Sequence, residues 1–307
     1  MNSFINLYQL TKAKFFPYFL LVILSVHFFG CKKTELTPLN NTNPEDITIA
    51  GVKVAAGTNV VLILGDDWGY ELITANGGQS YSTPNIDKLA RNGMRFTQSQ
   101  ASPLCSPARF TILTGKYNFR NYTNWGVMNP NEKTLGNLFQ SAGYKTCATG
   151  KWQLDGSDAS VKSLGFDKYC LWNAYEIYSS GSQGSSYKNP TIYQDGGYLP
   201  SSETDGKYGE DIYTKYVTDF IDSNKHNNFF VYYAPPSVHT PFGPTPDDPE
   251  FATWDPRNRI SDPKFFPSMV SYVDKKVGEI VAKVKSLGLS DKTMIIFTGD
   301  NGTPTEI

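Results

Sequence analysis

The chain is poor in the side chains that bind soft metals or act as bases at neutral pH. Its 307 residues include only four cysteines and three histidines. No C-x-x-C pair and no Cys/His ligand spacing occurs, which argues against a zinc site. The four cysteines are Cys31, Cys105, Cys147 and Cys170. The pattern leaves open whether Cys147 and Cys170 form a disulfide or are two small buried residues.

An excess of positive charge is also lacking. Lys and Arg number 28 and Asp and Glu 29, giving a net charge of −1, and no basic run is interleaved with aromatic residues. This composition argues against a nucleic-acid partner. Apolar residues make up 39% of the chain and aromatic residues 14%, which is typical of a globular protein with a large core. The length predicts one large α/β domain or two ordinary ones.

One apolar run is long enough to suggest a targeting segment. It covers residues 15–30 and follows Lys12 and Lys14. A basic start, a short apolar core and a small residue before the break are typical of a secretory signal. Pro17 and His27 interrupt the run, which makes it marginal for a membrane span. We therefore expect residues 1–30 to be a signal peptide.

The residues after this run indicate lipidation. "HFFGC" resembles a bacterial lipobox with Phe28 where leucine is preferred, so Cys31 is expected to become a lipidated N-terminus. This interpretation predicts a lipid anchor in the bacterial cell envelope, on the periplasmic side or at the cell surface. An ordinary cleaved signal and a membrane anchor are the alternatives. Residues 31–57 are polar and rich in Pro and Asn, as in a tether.

From residue 58 onward, apolar runs alternate with helical patterns. The helix predicted after Thr83 has Thr83 as its N-cap, Pro84 at the first position and Gly93 as its C-cap. Further predictions are a strand reaching Lys151, loops with minor strands over 169–213, helices over 213–224 and 266–288, a strand ending at His239, and buried strands over 59–65 and 291–299. Alternation of this kind predicts an α/β fold with a mostly parallel sheet between helices.

Polar side chains lie at the ends of four of the predicted strands. They are Asp66–Asp67, Lys151, His239 and Asp300–Asn301. In parallel sheets, ligands bind at the carboxyl ends of the strands. A single Asp-Asp pair is more often a turn or helix cap, but two oxygen-rich strand ends favour Ca²⁺ or Mg²⁺ over zinc.

The segment "SPLCSPARFTILTGK" places a thiol at a predicted helix start. Ser106 is predicted as the N-cap and Pro107 as the first helical residue, so Cys105 would lie among free backbone amides. A thiol in that position is expected to be acidified and accessible. Arg109, one turn further along, can point back toward it.

Two familiar thiol chemistries do not fit this segment. A tyrosine phosphatase needs arginine six residues after the cysteine, where this chain has Thr111. A papain-like protease needs a histidine base near the thiol, and one of the three histidines lies in the signal. A buried structural cysteine is the remaining alternative.

The segment resembles a family signature. "CSPAR" followed by "LTGK" resembles the C-x-P-x-R…L-T-G pattern of the sulfatases, in the alkaline phosphatase superfamily. "DDWGY", "STPNIDKLARNG", "GKW", "VHTPF" and "GDNG" follow the family's order between Asn59 and Gly302. One pentapeptide is a weak signal, whereas the ordered set is specific.

The resemblance implies an alkaline phosphatase-like fold and hydrolysis of a sulfate ester, either a sulfated carbohydrate or an aryl sulfate. Cys105 would be converted by a maturation enzyme to formylglycine, whose hydrate attacks sulfur and later expels sulfate. The implied ligands of Ca²⁺, favoured over Mg²⁺, are the modified Cys105, Asp66, Asp67, Asp300 and Asn301. Arg109 would position the formylglycine, Lys151 would contact sulfate and leaving-group oxygens, and His239 would bind sulfate or assist proton transfer.

Two departures from the family pattern keep alternatives open. Gln153 replaces the histidine of the commonest G-K-W-H motif, although it can still hydrogen-bond the substrate. The chain ends at Ile307, so we expect residues 58–307 to be a catalytic domain truncated before the family's C-terminal subdomain. The rivals are a phosphodiesterase or phosphonate hydrolase of the same fold, and an inactive lipoprotein that binds sulfated glycans.

Overall fold

A computed structural model of the chain describes residues 46–49, 52–55, 57–121, 126–154, 157–172, 185–258, 260–305 and 307. The predicted signal peptide, Cys31 and the first part of the predicted tether lie outside these residues. Within the rest of the tether, strands β1 (Asp46–Ile49) and β2 (Val52–Ala55) pair antiparallel. In the described part of the chain, no helix combines the length and apolar character needed to cross a bilayer.

A seven-stranded sheet forms the centre of the fold. Its order is β7-β6-β5-β4-β8-β3-β9, with β5, β4, β8, β3 and β9 parallel and the β6-β7 edge antiparallel. The strands are β3 (Asn59–Gly65), β4 (Lys145–Lys151), β5 (Lys168–Trp172), β6 (Ile192–Gln194), β7 (Gly197–Tyr198), β8 (Phe229–Ala234) and β9 (Thr293–Gly299). The predicted α/β class and mostly parallel sheet are confirmed.

Helices connect the strands. They are α1 (Pro84–Asn92), α2 (Cys105–Thr114), α3 (Asn118–Asn121), α4 (Leu135–Ser141), α5 (Ser157–Ser163), α6 (Ser201–Thr204), α7 (Gly209–Ser223) and α8 (Phe266–Ser286). The caps predicted for α1 are confirmed, with Thr83 before the helix and Gly93 after it.

Two apolar cores cover the two faces of the sheet. One core packs α1, α7 and α8 against side chains such as Val61 and Val231. The other core packs α2 and α5 against Leu62 and Tyr232, which are the next residues along β3 and β8. Because successive strand residues point to opposite faces, uninterrupted apolar strands such as β3 contribute to both cores.

Several predicted boundaries are wrong. The strand before His239 ends at Ala234, and α7 begins at Gly209 rather than at 213. The stretch 169–213 includes most of β5, a full member of the main sheet, as well as short strands. Strand β9 is not buried as predicted, because it lies at the edge of the sheet and leaves Met294 and Ile296 exposed.

The two central cysteines are not bonded to each other. Cys147 on β4 and Cys170 on β5 are both buried and both free, and they belong to the same apolar core. Burial raises the pKa of each thiol. The disulfide alternative is therefore wrong, and the two residues pack as small buried side chains.

Candidate active site

Acidic residues from two neighbouring strands meet at the carboxyl end of the sheet. Strands β3 and β9 are parallel and pair in register as far as Gly65 and Gly299, so the residues that follow each glycine are brought together. Carboxylate oxygens of Asp66, Asp67 and Asp300 lie within 4.8 Å of one another. The backbone N–H of Asp67 also donates to Asp300 Oδ1 at 3.1 Å. The two strand ends therefore lie together, as the sequence predicts.

Arg109 lies at the centre of this cluster. Its Nη2 is 2.8 Å from Asp300 Oδ2 and 3.3 Å from Asp66 Oδ1, and all three side chains are fully buried. Its Nη1 donates to the Lys151 carbonyl at 3.0 Å and to the Tyr232 hydroxyl at 3.4 Å. The contacts of Arg109 are thus with the two carboxylates and the ends of β4 and β8, and not with the thiol.

Lys151, the last residue of β4, supplies a second buried cation. Its Nζ is 2.6 Å from Asp66 Oδ2. Gly150 brings β4 close to β8 at this point: its φ is +88°, and a Cβ there would lie 2.0 Å from the Ala234 carbonyl oxygen. A residue with a side chain would push the strands apart, so the glycine of "GKW" helps to place Lys151 beside Asp66.

Cys105 occupies a different place in its helix from the one predicted. It is the first residue of α2 and follows Leu104 as N-cap, so Ser106 is not the cap and Pro107 is the third residue. The Ser106 hydroxyl is used in tertiary contacts instead, donating to the Gln153 carbonyl at 3.4 Å and accepting from the Gly126 N–H at 3.0 Å.

The predicted acidity and accessibility of the Cys105 thiol are also wrong. Cys105 is 7% exposed. Burial raises the pKa of the thiol, and this effect outweighs the opposing influence of the Lys151 and Arg109 charges. The thiol donates to Gln153 Oε1 at 3.2 Å. An unmodified Cys105 is therefore a poor thiolate nucleophile, and Gln153 contacts the thiol directly.

His239 borders the cluster from a loop after β8. Its Nε2 lies 4.0 Å from Asp67 Oδ2, and its Nδ1 lies 2.7 Å from the Thr240 carbonyl oxygen. A carbonyl can only accept, so this hydrogen bond requires the proton on Nδ1 and turns Nε2 toward the acidic cluster. The Tyr187 hydroxyl lies within hydrogen-bond distance of the backbone carbonyls of Pro236 and His239, which share its one hydrogen, and this contact fixes the loop.

The electrostatics of the cluster favour an additional cation. Burial opposes ionisation of Asp66, but Lys151, His239 and Arg109 hold its pKa below the usual range. Burial and the charge of Asp66 raise the pKa of Asp67, and they raise that of Asp300 to about 7. With two permanently charged cations beside three carboxylates, ionisation of all three leaves one negative charge, which an additional cation would balance.

The donor set fits calcium. Carboxylate and amide oxygens are the ligands that Ca²⁺ prefers. Asn301 Nδ2 donates to Asp67 Oδ1 at 2.5 Å, while the buried Asn301 Oδ1 has no hydrogen-bond partner within the described part of the chain. An orphaned amide oxygen beside three carboxylates is the arrangement expected of a metal ligand. The residues that would hold the ion are Asp66, Asp67, Asp300 and Asn301.

Residues that support the site were missed by sequence reasoning. Tyr187 and Tyr232 lie in aromatic-rich segments that resemble ordinary core. Glu210, in the first turn of α7, is fully buried and accepts from both the N–H and the hydroxyl of Ser237. Burial raises the pKa of Glu210 to about 7. Its position among acidic helix residues gave no signal that it would support the His239 loop.

Comparison with known proteins identifies the family. The sequence profile of the sulfatase family matches residues 58–306. N-acetylgalactosamine-6-sulfatase of Mus musculus is 32% identical over 277 residues, covering 80% of this chain and 50% of that protein. Arylsulfatase A of Homo sapiens is 30% identical over 291 residues, covering 83% of this chain and 54% of that protein. The chain belongs to the sulfatase family and spans about half the length of these curated relatives.

Solved structures agree on the fold. The crystal structure of Ps i-CgsB matches with a TM-score of 0.69 and 26% identity, over 81% of this chain and 59% of that one. The structure of BT4656 in complex with D-glucosamine-2-N,6-O-disulfate matches with a TM-score of 0.64 and 20% identity, over 80% and 65%. The second likeness supports the alkaline phosphatase-like fold alone.

If the acidic cluster binds calcium, adding Ca²⁺ should stabilise the folded protein, and this stabilisation should depend on Asp67. After EDTA treatment, Ca²⁺ at ~100 times its dissociation constant should stabilise the protein by about 2.7 kcal/mol and raise Tm by roughly 5 °C. Asp67→Asn removes a ligand charge without changing side-chain shape and should abolish most of the increase. Asp291→Asn, at an exposed turn, should retain it. A wild-type Tm that does not respond to Ca²⁺ would contradict the site.

Glu210 should make the free energy of unfolding decrease as pH rises. Burial raises its pKa from 4.5 to about 7, so the folded state keeps a proton that the unfolded state loses in this range. The contribution is full below the unfolded pKa and is lost as pH rises through the folded one, a change of about 3 kcal/mol. Glu210→Gln keeps the acceptor for Ser237 but cannot ionise.

Denaturant unfolding of both proteins in the same buffer measures this effect. The stability of Glu210→Gln relative to wild type should rise by about 3 kcal/mol between pH 4.5 and roughly pH 8. Other titrating groups are common to both proteins and cancel in the difference. A difference that does not change with pH would show that the pKa of Glu210 is the same in the folded and unfolded states.

Proposed function

We propose that the protein hydrolyses a sulfate ester to an alcohol and sulfate. The observation that carries the proposal is the position of Cys105. The cysteine of the family signature begins α2, its thiol contacts Gln153, and the charges of Lys151, Asp66, Arg109 and Asp300 act on it. A buried thiol with a raised pKa is a poor nucleophile, so the reaction needs this residue in another chemical form.

That form is formylglycine, made from Cys105 by a maturation enzyme. The hydrated aldehyde supplies a hydroxyl that attacks sulfur and a second hydroxyl that allows sulfate to be expelled. Gln153 Oε1, 3.2 Å from Cys105 Sγ, can accept a hydrogen bond from a hydroxyl at the same position. Gln153 cannot shuttle a proton at neutral pH, so proton transfer is assigned to other residues.

Three side chains of this chain would handle charge and protons. Lys151 carries a permanent positive charge beside Asp66 and near Cys105, where it can neutralise charge on sulfate and leaving-group oxygens. Arg109 holds the carboxylates of Asp66 and Asp300 in place. His239 keeps its proton on Nδ1, so its Nε2 can accept a hydrogen bond or a proton.

Calcium would be held by Asp66, Asp67, Asp300 and Asn301. When bound, it withdraws charge from sulfate oxygens and lowers the pKa of the attacking hydroxyl. The protein's part is to keep these oxygens together at the ends of β3 and β9 before the ion arrives.

We infer that the substrate is a sulfated carbohydrate. Two observations support this class. N-acetylgalactosamine-6-sulfatase is among the relatives at 32% identity, and Ps i-CgsB, at 26% identity, has also been crystallised in complex with k-i-k-neocarrahexaose. An aryl sulfate is the alternative substrate and serves as the laboratory probe.

We further propose that the protein works in the bacterial cell envelope as a lipoprotein. The support is the sequence of residues 12–31, in which two lysines, an apolar run and "HFFGC" follow one another. Export and maturation are compatible if Cys105 is modified before the chain crosses the membrane.

Matched nitrophenyl esters test the reaction class. Matured protein should hydrolyse 4-nitrophenyl sulfate at a rate at least about tenfold higher than that for 4-nitrophenyl phosphate or a phosphonate ester. Cys105→Ala should lower kcat by a factor of about 10³ or more, whereas Cys147→Ala, a buried free cysteine outside the site, should not. Faster turnover of the phosphate or phosphonate ester would favour the phosphodiesterase alternative. Binding of sulfated glycans without any turnover would favour the inactive lipoprotein.

A further inference from the structure

A cavity of about 450 Å³ opens next to His239. Its volume falls within the ~300–1,000 Å³ typical of small-ligand sites. Aromatic side chains and small hydroxyl side chains share its lining, among them Trp172, Trp254, Tyr187, Ser186, Thr240 and Ser261. His239 contacts both the acidic cluster and this cavity, so a group bound in the cavity would lie beside the reacting centre.

Lys188 lines the cavity but has no hydrogen left to offer a ligand. Its buried Nζ donates to the backbone carbonyls of Phe251, Ala252 and Trp254 at 2.6, 2.9 and 2.8 Å. An ammonium has three hydrogens, and all three are used. The cavity is therefore not a second sulfate site at Lys188. The lysine instead holds the 251–254 loop in one position.

Trp254 is held in the cavity wall by this loop. Its backbone is fixed by Lys188, and its ring packs edge-on against Phe265 at a centroid distance of 5.3 Å. The ring also lies over Gly243, where a Cβ would be 3.3 Å from the indole Nε1. The side chain is only half-buried, which leaves part of the ring open to the cavity.

Tyr187 and Lys188, which are adjacent in the chain, hold the two sides of the cavity in place. Tyr187 fixes the backbone of the His239 loop, and its neighbour Lys188 fixes the loop of Trp254. The pair is itself held by α7, since the Gly209 N–H donates to the Tyr187 carbonyl at 2.9 Å. The distance between the reacting centre and the aromatic wall is thereby fixed in the fold.

We propose that this cavity binds the sugar ring that carries the sulfate ester, that Trp254 stacks against the ring, and that Lys188 is the positioning residue for Trp254. The proposal rests on the proposed sulfatase function. Aromatic faces match the apolar C–H face of a pyranose, while the hydroxyls of Ser186, Thr240 and Ser261 can bond its polar edge. A ring in this position leaves as the alcohol after its sulfate is removed at the acidic cluster.

Kinetics of matured full-length variants test the proposal. The probes are 4-nitrophenyl sulfate, inorganic sulfate as inhibitor, and three sulfated sugars: N-acetylgalactosamine 6-sulfate, glucosamine 2-N,6-O-disulfate and a sulfated carrageenan oligosaccharide. Trp254→Ala and Lys188→Met should each raise KM for the sugar that wild type hydrolyses best by roughly tenfold. The inhibition constant of inorganic sulfate should stay within about twofold, because the acidic cluster is untouched.

Two controls separate positioning from a loss of folding. Trp254→Phe keeps an aromatic face and should stay within about threefold of the wild-type KM. Lys215→Met removes an exposed lysine on α7 and should behave as wild type. If Lys188→Met does not fold, Gly243→Ala, whose Cβ would lie 3.3 Å from Trp254 Nε1 and shift the ring by a few tenths of an ångström, replaces it and should raise KM by a smaller factor.

The outcomes distinguish failure of the proposed sulfatase function from failure of the cavity proposal. No turnover of 4-nitrophenyl sulfate by wild type would contradict the proposed function itself. Turnover of 4-nitrophenyl sulfate without binding or hydrolysis of any of the three sugars would overturn the cavity proposal and the inferred carbohydrate substrate, while sulfate-ester hydrolysis itself would stand. A sugar KM that is unchanged in Trp254→Ala, or a sulfate inhibition constant that rises together with it, would also overturn the cavity proposal.

Discussion

The buried guanidinium of Arg109 is the interaction on which the rest of the site depends. It joins α2, the helix that begins with the candidate nucleophile, to the ends of β3 and β9 through Asp66 and Asp300. It also reaches β4 through the Lys151 carbonyl and β8 through the Tyr232 hydroxyl. Removing one partner of such a buried pair leaves a charge uncompensated, which typically costs about 3–5 kcal/mol. One side chain therefore fixes the nucleophile segment against four strands.

The two sides of the reacting centre are supported by different cores. Helix α2 packs with Phe110 and Leu113 in one core, whereas the His239 loop packs with Val238 and Phe242 in the other. The sheet separates these cores, and its carboxyl end is where their loops meet. Cys105 and the cavity next to His239 are thus tied to opposite helical layers. A change in the layer of the His239 loop can alter the cavity without moving Cys105.

The sequence predicted the positions that depend on local pattern. An apolar run that ends in glycine and acid marks a strand end, and this rule placed Asp66 and Asp300 together. It failed where tertiary contacts override local preference: Ser106 bonds Gln153 and Gly126 instead of capping its helix. Burial also raises the pKa of the Cys105 thiol, which was expected to be lowered at a helix start. Lys188 could not be found from sequence, because its three carbonyl partners lie more than sixty residues away along the chain.

The central claim is that Cys105 serves as the precursor of the nucleophile, because its buried thiol is unsuited to the task. The mass of the tryptic peptide Phe96–Arg109, taken from protein made in a host that matures other sulfatases, tests this claim most directly. We expect an aldehyde in place of the thiol at Cys105 in the active fraction, with Cys147 and Cys170 unmodified in the same sample. An intact thiol at Cys105 in protein that hydrolyses 4-nitrophenyl sulfate would contradict it.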